Sequence, residues 1–229
     1  GPPDAAGPGG TLHALLHDAK SASLLHAARS SAGAWTVEPK SITGAKVGVG
    51  GAALAVGSDS SLHVVSYTEG FKAAVYHVRK AQAPTWSAAV TVEPKPRSGG
   101  FFPGPSPGLA VSAGGVVHVA LCTGENAIKH YQGSGAAFTA TQIAAKVGDQ
   151  CTSSLALDEG GGVHVSYRDA RTARIMYAGR LPGKSSFEAP VQLYQGSLAA
   201  ALGQSNHIAV DRNADHVWVG FDSTFMLAM

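Results

Sequence analysis

Ser154-Leu155-Ala156-Leu157-Asp158, then Val163-His164-Val165-Ser166-Tyr167-Arg168-Asp169, then Met176-Tyr177-Ala178 follow one another within a single stretch of the chain. The first run alternates apolar and small residues, as a half-buried strand does, and residues 159–162 form a glycine-rich turn. The second run is apolar and opened by a histidine, and the third resumes after a short polar gap. With the segment 187–193, opened by Phe187, the stretch reads as four short antiparallel strands, A to D. The same phrase returns as Thr11-Leu12-His13, Ser61-Leu62-His63, Val116-Val117-His118 and Asp215-His216-Val217. The histidines of the five copies are spaced by 50, 55, 46 and 52 residues, the length of a four-stranded blade rather than of most solenoid units.

The fold class is therefore all-β, a β-propeller of about five four-stranded blades within one domain, 1–229. Its repeats lie at about 4–45, 49–95, 105–145, 151–195 and 205–229. The first copy reads as beginning at strand B, with only residues 4–10 ahead of it, and the last stops in strand C. Either both end blades are incomplete or the chain is part of a larger ring, and a partner chain or self-association could complete the end blades. Trp35, Trp86, Phe138 and Phe187 recur where strand D begins and are expected to pack at the outer edge between neighbouring sheets.

Charge narrows the range of partners. Charged residues make up 14% of the chain, the formal charge is +2, and Lys and Arg are scattered, so no basic stripe invites nucleic acid. Apolar runs such as 52–56 are far shorter than the roughly 20 residues of a membrane helix. No membrane insertion and no cofactor are expected.

The runs Ser154-Leu155-Ala156-Leu157-Asp158, His164-Val165-Ser166-Tyr167-Arg168-Asp169 and Tyr177-Ala178 resemble the repeats of bacterial secreted propellers of the sialidase-like and lectin type. Ser31-Ala32-Gly33-Ala34-Trp35 is similar to a degenerate Asp-box without its aspartate. The resemblance implies a propeller exported to the extracellular or periplasmic space, whose usual business is glycan binding or glycan cleavage. An intact sialidase would draw an arginine triad from separate blades, whereas Arg168, Arg171, Arg174 and Arg180 crowd into one copy. In a propeller glycosidase, strand A supplies the central carboxylates; the candidates here, Asp158 and Asp211, sit at strand ends where they bond turn amides.

One carboxylate per copy falls in the B–C loop, five to seven residues after its histidine: Asp18, Glu69, Glu125, Asp169 and Asp222. Tyr67 and Arg168 stand beside them. Carboxylate acceptors next to an aromatic platform suit sugar hydroxyls, and weak sites repeated around a rim gain strength by multivalency. The alternative is that each acid caps its own turn. A symmetric B–C hairpin would pair His13 with His26, His63 with His77, His118 with His130 and His164 with Tyr177. Zinc wants three or four ligands and no such set recurs, so these pairs read as inter-blade packing, not metal sites. Cys122 and Cys151, placed on one face of a blade junction, are candidates for a disulfide.

These observations point to a non-catalytic recognition module that binds glycan, or another polar surface ligand, through the B–C and D–A loops. The alternatives are a fragment of a propeller glycoside hydrolase or lyase, and a structural protein-interaction domain.

Overall fold

The strands opened by histidine are buried from end to end. In β6 (Leu62–Tyr67) and β10 (Val117–Cys122) every residue is buried, which requires a sheet neighbour on both faces. That explains why these segments read as near-continuous apolar runs instead of a strict alternation. The computed structural model describes residues 4–7, 10–39, 42, 47, 51–96, 107–196, 201–211 and 216–224. Within them four antiparallel four-stranded sheets follow one another, then a hairpin.

Blade 1 comprises β1 (Asp4–Ala6), β2 (Leu12–Asp18), β3 (Ser23–Arg29) and β4 (Trp35–Val37). Blade 2 comprises β5 (Ala53–Val56), β6, β7 (Ala74–Arg79) and β8 (Val90–Glu93). Blade 3 comprises β9 (Gly108–Val111), β10, β11 (Ile128–Gly133) and β12 (Phe138–Ala144), and blade 4 comprises β13 (Ser153–Leu157), β14 (Val163–Asp169), β15 (Arg174–Arg180) and β16 (Val191–Gln195). The hairpin pairs β17 (Ala201–Val210) with β18 (Val217–Thr224). Each strand A lies against the strand A of the next unit, β1 on β5, β5 on β9, β9 on β13 and β13 on β17, an inner arc that is not closed among the described residues.

The first blade corrects the sequence reading. It is not short of strand A: Asp4, Ala5 and Ala6 pair with Ala14, His13 and Leu12. This three-residue segment has no β-branched or aromatic side chain, so only its partner strand makes it a strand. The end of the last repeat, including its expected strand C up to Met229, lies outside the described residues.

The four blades are joined by three apolar clusters, one at each junction between them. Leu15 and Leu24 of blade 1 meet Leu54 and Val64 of blade 2. Val65, Tyr67, Ala74 and Tyr76 meet Val117, Val119, Leu121 and Tyr131. Ala120, Cys122 and Ile128 meet Leu155, Val163, Val165 and Tyr167, where Cys122 and Cys151 are joined in a disulfide with Cα atoms 6.1 Å apart.

The recurrent strand D aromatics complete each junction. Trp86 of blade 2 packs edge-on against His26 of blade 1, with ring centroids 6.0 Å apart. Phe138 of blade 3 meets Tyr76 of blade 2 at 5.4 Å, and Phe187 of blade 4 meets His130 of blade 3 at 5.4 Å. Trp86 and Phe187 do so from just ahead of β8 and β16, whose ladders start only at Val90 and Val191. Trp35 occupies the same place in blade 1 and is 51% exposed. Truncating Phe138 to alanine is therefore expected to cost about 2–3 kcal/mol. Trp35→Ala should change stability by less than about 0.5 kcal/mol. Urea unfolding of the two variants measures the difference.

Candidate functional site

Two open clefts lie at equivalent places in the fold, between blades 1 and 2 and between blades 3 and 4. The first, about 260 Å³, is lined by Thr11, His13, Ser60, Arg79, Lys80 and Gln82 among others. The second, about 640 Å³, is lined by residues that include Ser112, His118, Thr141, Gly161, Arg180 and Lys184. Both open on the face formed by the A–B and C–D turns, with the strand B histidine of one blade as back wall and the end of strand C of the next blade as side wall.

The back wall is built by the sheet register. His13 lies opposite Ala28 and His118 opposite Gln132, so each imidazole reaches diagonally to a ring two residues earlier on strand C. His13 Nδ1 contacts His26 Nε2 at 3.0 Å, and His118 Nδ1 contacts His130 Nε2 at 3.0 Å, with the rings stacked. In blades 2 and 4 the partner is a tyrosine: His63 Nδ1 accepts from the Tyr76 hydroxyl at 2.7 Å and His164 Nδ1 from Tyr177 at 2.8 Å. His63 therefore pairs with Tyr76, not His77. The observed register sets His77 opposite Val64, and its Nδ1–H donates to the Ser87 carbonyl. A one-residue change of register exchanges the faces of a strand, and the symmetric-hairpin assumption carried that error.

The outer nitrogen of several strand B histidines is also held. His63 Nε2 bonds Ser61, which bonds Asp59, and His164 Nε2 meets Asp158 at 3.0 Å. Asp158 also accepts from the Gly162 amide, and Asp211 accepts from the His216 amide, so both strand A carboxylates serve their own A–B turns.

The side wall carries an arginine. Arg79 lies over the Trp86 ring at 5.1 Å and forms an ion pair with Glu38 of blade 1, whose carboxylate also accepts from His26 Nδ1 at 2.7 Å. Arg180 lies over the Phe187 ring at 5.5 Å and donates to Gln132 of blade 3 at 2.8 Å. Such stacking is a usual arginine role. At the junction between blades 2 and 3, Gly133 stands where the arginine would be, and the following turn closes on the tyrosine: a Cβ at Gly135 would sit 3.0 Å from the Tyr76 ring.

The rim residues expected from sequence lie on the opposite face, at the ends of the strands B. Asp18 accepts from the Lys20 amide and the Ser21 hydroxyl, and these bonds hold its carboxyl below the usual carboxylate range. Asp169 accepts from the Arg171 amide. Glu125 is exposed and pairs with Lys129 at 3.2 Å, while Glu69 opens a single 3-10 turn. Tyr67 and Arg168 are buried, Arg168 donating to the Gln150 carbonyl at 3.1 Å. The side chain of Asp222 lies outside the described part. Of the cleft residues, Arg79 was not singled out and Arg180 was read only as one of four arginines crowded into one copy, yet a signal existed: an arginine follows His13, His63 and His164 by sixteen residues.

No known family model matches the sequence, and no curated protein matches it. Among solved structures, the chain is similar to the six-bladed β-propeller lectin of Aleuria aurantia, with a TM-score of 0.60 and 15% identity over 81% of this chain. The matched part spans 57% of that lectin's length. A triple arginine-to-alanine mutant of AofleA from Arthrobotrys oligospora gives a TM-score of 0.67 at 14% identity, covering 99% of this chain and 67% of that one. The lectin SapL1, solved with alpha methyl fucoside, gives 0.63 at 14% identity over 97% and 72%. A structure from a study of two prolyl endopeptidases also matches, at 0.55 and 14% identity, over 96% of this chain but 32% of that one. At these identities the likeness shows the fold: blade-by-blade β-propeller architecture.

Burial depresses the histidine pair of the second cleft, His118 to about 4 and His130 to about 3, with the Arg180 charge acting in the same direction. Against the ordinary value of 6.5, the native state binds fewer protons than the unfolded chain in the acid range. Stability is therefore expected to fall as the pH drops below 6.5 towards 4. Urea midpoints at neutral and acid pH measure this, and His130→Tyr, which reproduces the His63–Tyr76 arrangement of blade 2, should reduce the difference.

Proposed function

We propose that the chain is a carbohydrate-binding, lectin-like propeller whose sugar sites are the clefts between successive blades. The observation that carries this is the recurrence, at two junctions, of an arginine laid over an aromatic ring beside a histidine pair and several hydroxyl groups, in a cleft open to solvent. Sugars need that combination. Their hydroxyls pair with fixed charged and hydroxyl groups, and their C–H faces need apolar wall. The ion pair with Glu38 offsets the charge of Arg79 behind the lining, which makes the first cleft the better match for a neutral sugar.

The fold supports the reading, because the Aleuria aurantia structure is described by its fucose recognition and SapL1 was solved with a fucoside. Fucose is accordingly the first sugar to test. The Cys122–Cys151 bridge favours an oxidising compartment, so the reading includes export to the extracellular or periplasmic space. The clefts face away from the B–C rim, which separates the two candidate surfaces experimentally.

Titration calorimetry with neutral monosaccharides, fucose first, tests the proposal. Arg79→Gln is expected to weaken binding roughly tenfold or more, the cost of one charge-assisted hydrogen bond. The rim double variant Glu69→Ala, Asp169→Ala is expected to leave it unchanged. The opposite pattern would move the site to the B–C rim, and silence across a broad glycan array would overturn the carbohydrate reading.

A further inference from the structure

The two clefts share a plan but differ in charge. In the first, Arg79 is neutralised by Glu38. In the second, the place of Glu38 opposite the strand C histidine is taken by Thr141, which pairs with His130. Arg180 has Gln132 as its hydrogen-bond acceptor, and no carboxylate lines this cleft among the described residues. Of the carboxylates on the adjoining A–B turn, Asp158 is committed to His164 and the Gly162 amide. Lys184, on the C–D turn, adds a second cation to the lining, as Lys80 does in the first cleft, so the difference between the two lies in the partner of the arginine. Arg180 is half-buried, and burial lowers its affinity for the proton, the mark of a guanidinium that has lost solvent without gaining a counter-charge.

The histidine tautomers point the same way. In the first cleft His26 Nδ1–H donates to Glu38, so His26 Nε2 accepts from His13 Nδ1–H. The His13 Nε2 left over is then an acceptor. In the second cleft His130 Nδ1 is buried without a partner. A buried lone pair is cheaper to leave unpaired than a buried N–H, which places the proton of His130 on Nε2, donating to His118 Nδ1. His118 then carries its own proton on Nε2, as a donor to the cleft it lines. The Ser112 oxygen accepts from the Val116 amide, which leaves its O–H to donate as well. The first cleft thus presents an arginine already paired with a carboxylate and a histidine acceptor, the second an arginine with only a neutral partner and a histidine donor.

We infer that the cleft between blades 3 and 4 binds an anionic sugar, whose carboxylate or sulfate is held by Arg180 with His118 and Lys184 as further donors. This rests on the reading of the clefts as sugar sites and divides them by ligand class, the first taking a neutral sugar and the second an acidic one. Its volume, about 640 Å³ against about 260 Å³, leaves room beyond one charged residue of a glycan.

Calorimetry on the intact chain tests this with three matched probes: methyl glucoside, methyl glucuronide and glucose 6-sulfate. One of the anionic probes is expected to bind roughly tenfold or more tightly than the glucoside, with affinity falling as salt is raised. Which of them binds distinguishes carboxylate from sulfate recognition. Arg180→Gln should abolish the preference, Lys184→Gln should reduce it, and the rim variant Asp169→Ala, on the opposite face, should leave it intact. Arg180→Lys, which keeps the charge, should retain part of it and shows whether the site still folds. Anionic probes that bind no better than the glucoside, or a preference that survives Arg180→Gln, would overturn the inference while leaving neutral binding at the first cleft standing. Absence of binding by every sugar, fucose included, would overturn both.

Discussion

The stacking of sheets face to face through strand B is the constraint on which the rest of the structure depends. A strand buried on both sides must be apolar on both, and β6 and β10 nearly are. The imidazole each admits, His63 or His118, finds a partner diagonally on strand C. The ring so fixed becomes the seat for the aromatic residue of the next blade. One hydrogen bond inside a blade thereby positions the contact between blades.

The clefts follow from that joint. Where the strand C ring is a histidine, in blades 1 and 3, the neighbouring blade sends an arginine across its aromatic residue, and space remains in front of the strand B histidine. At the junction of blades 2 and 3 the ring is Tyr76 and the arginine is replaced by Gly133, with Gly135 seated on the tyrosine at a φ of +91° that suits glycine. The repeat thus sets the backbone of each junction, while a few side chains set what lines it. The likeness to both lectins and a prolyl endopeptidase makes the same point at the level of folds: architecture leaves function to the side chains.

The repeat architecture was legible because it is written in local patterns: His13, His63, His118 and His164 open strands in sequence as in structure. Strand A of blade 1 was not, since Asp4-Ala5-Ala6 is held by pairing and not by propensity. The partner of His63 was misassigned by one residue because the register of its hairpin is set by the turn, including the short helical turn at Glu69–Phe71, and not by symmetry. The clefts were harder still. Arg79 and Arg180 act across blade boundaries on Glu38 and Gln132, contacts between residues 41 and 48 positions apart, and the missing arginine at Gly133 interrupts their recurrence. The acids of the B–C loops drew attention because they recur in every copy, but Asp18 and Asp169 show how a turn imposes the same recurrence for its own hydrogen bonds.

The central claim is that ligands meet this propeller at the junctions between blades, on the face of the A–B and C–D turns. Backbone amide NMR of the 23.2 kDa chain during titration with alpha methyl fucoside tests it most directly. The account predicts shifts gathered at Thr11, Ser60, Lys80 and Gln82 around the first cleft, with Asp18, Glu69, Glu125 and Asp169 unmoved. Shifts confined to those four acids and their turns, with the clefts silent, would contradict it.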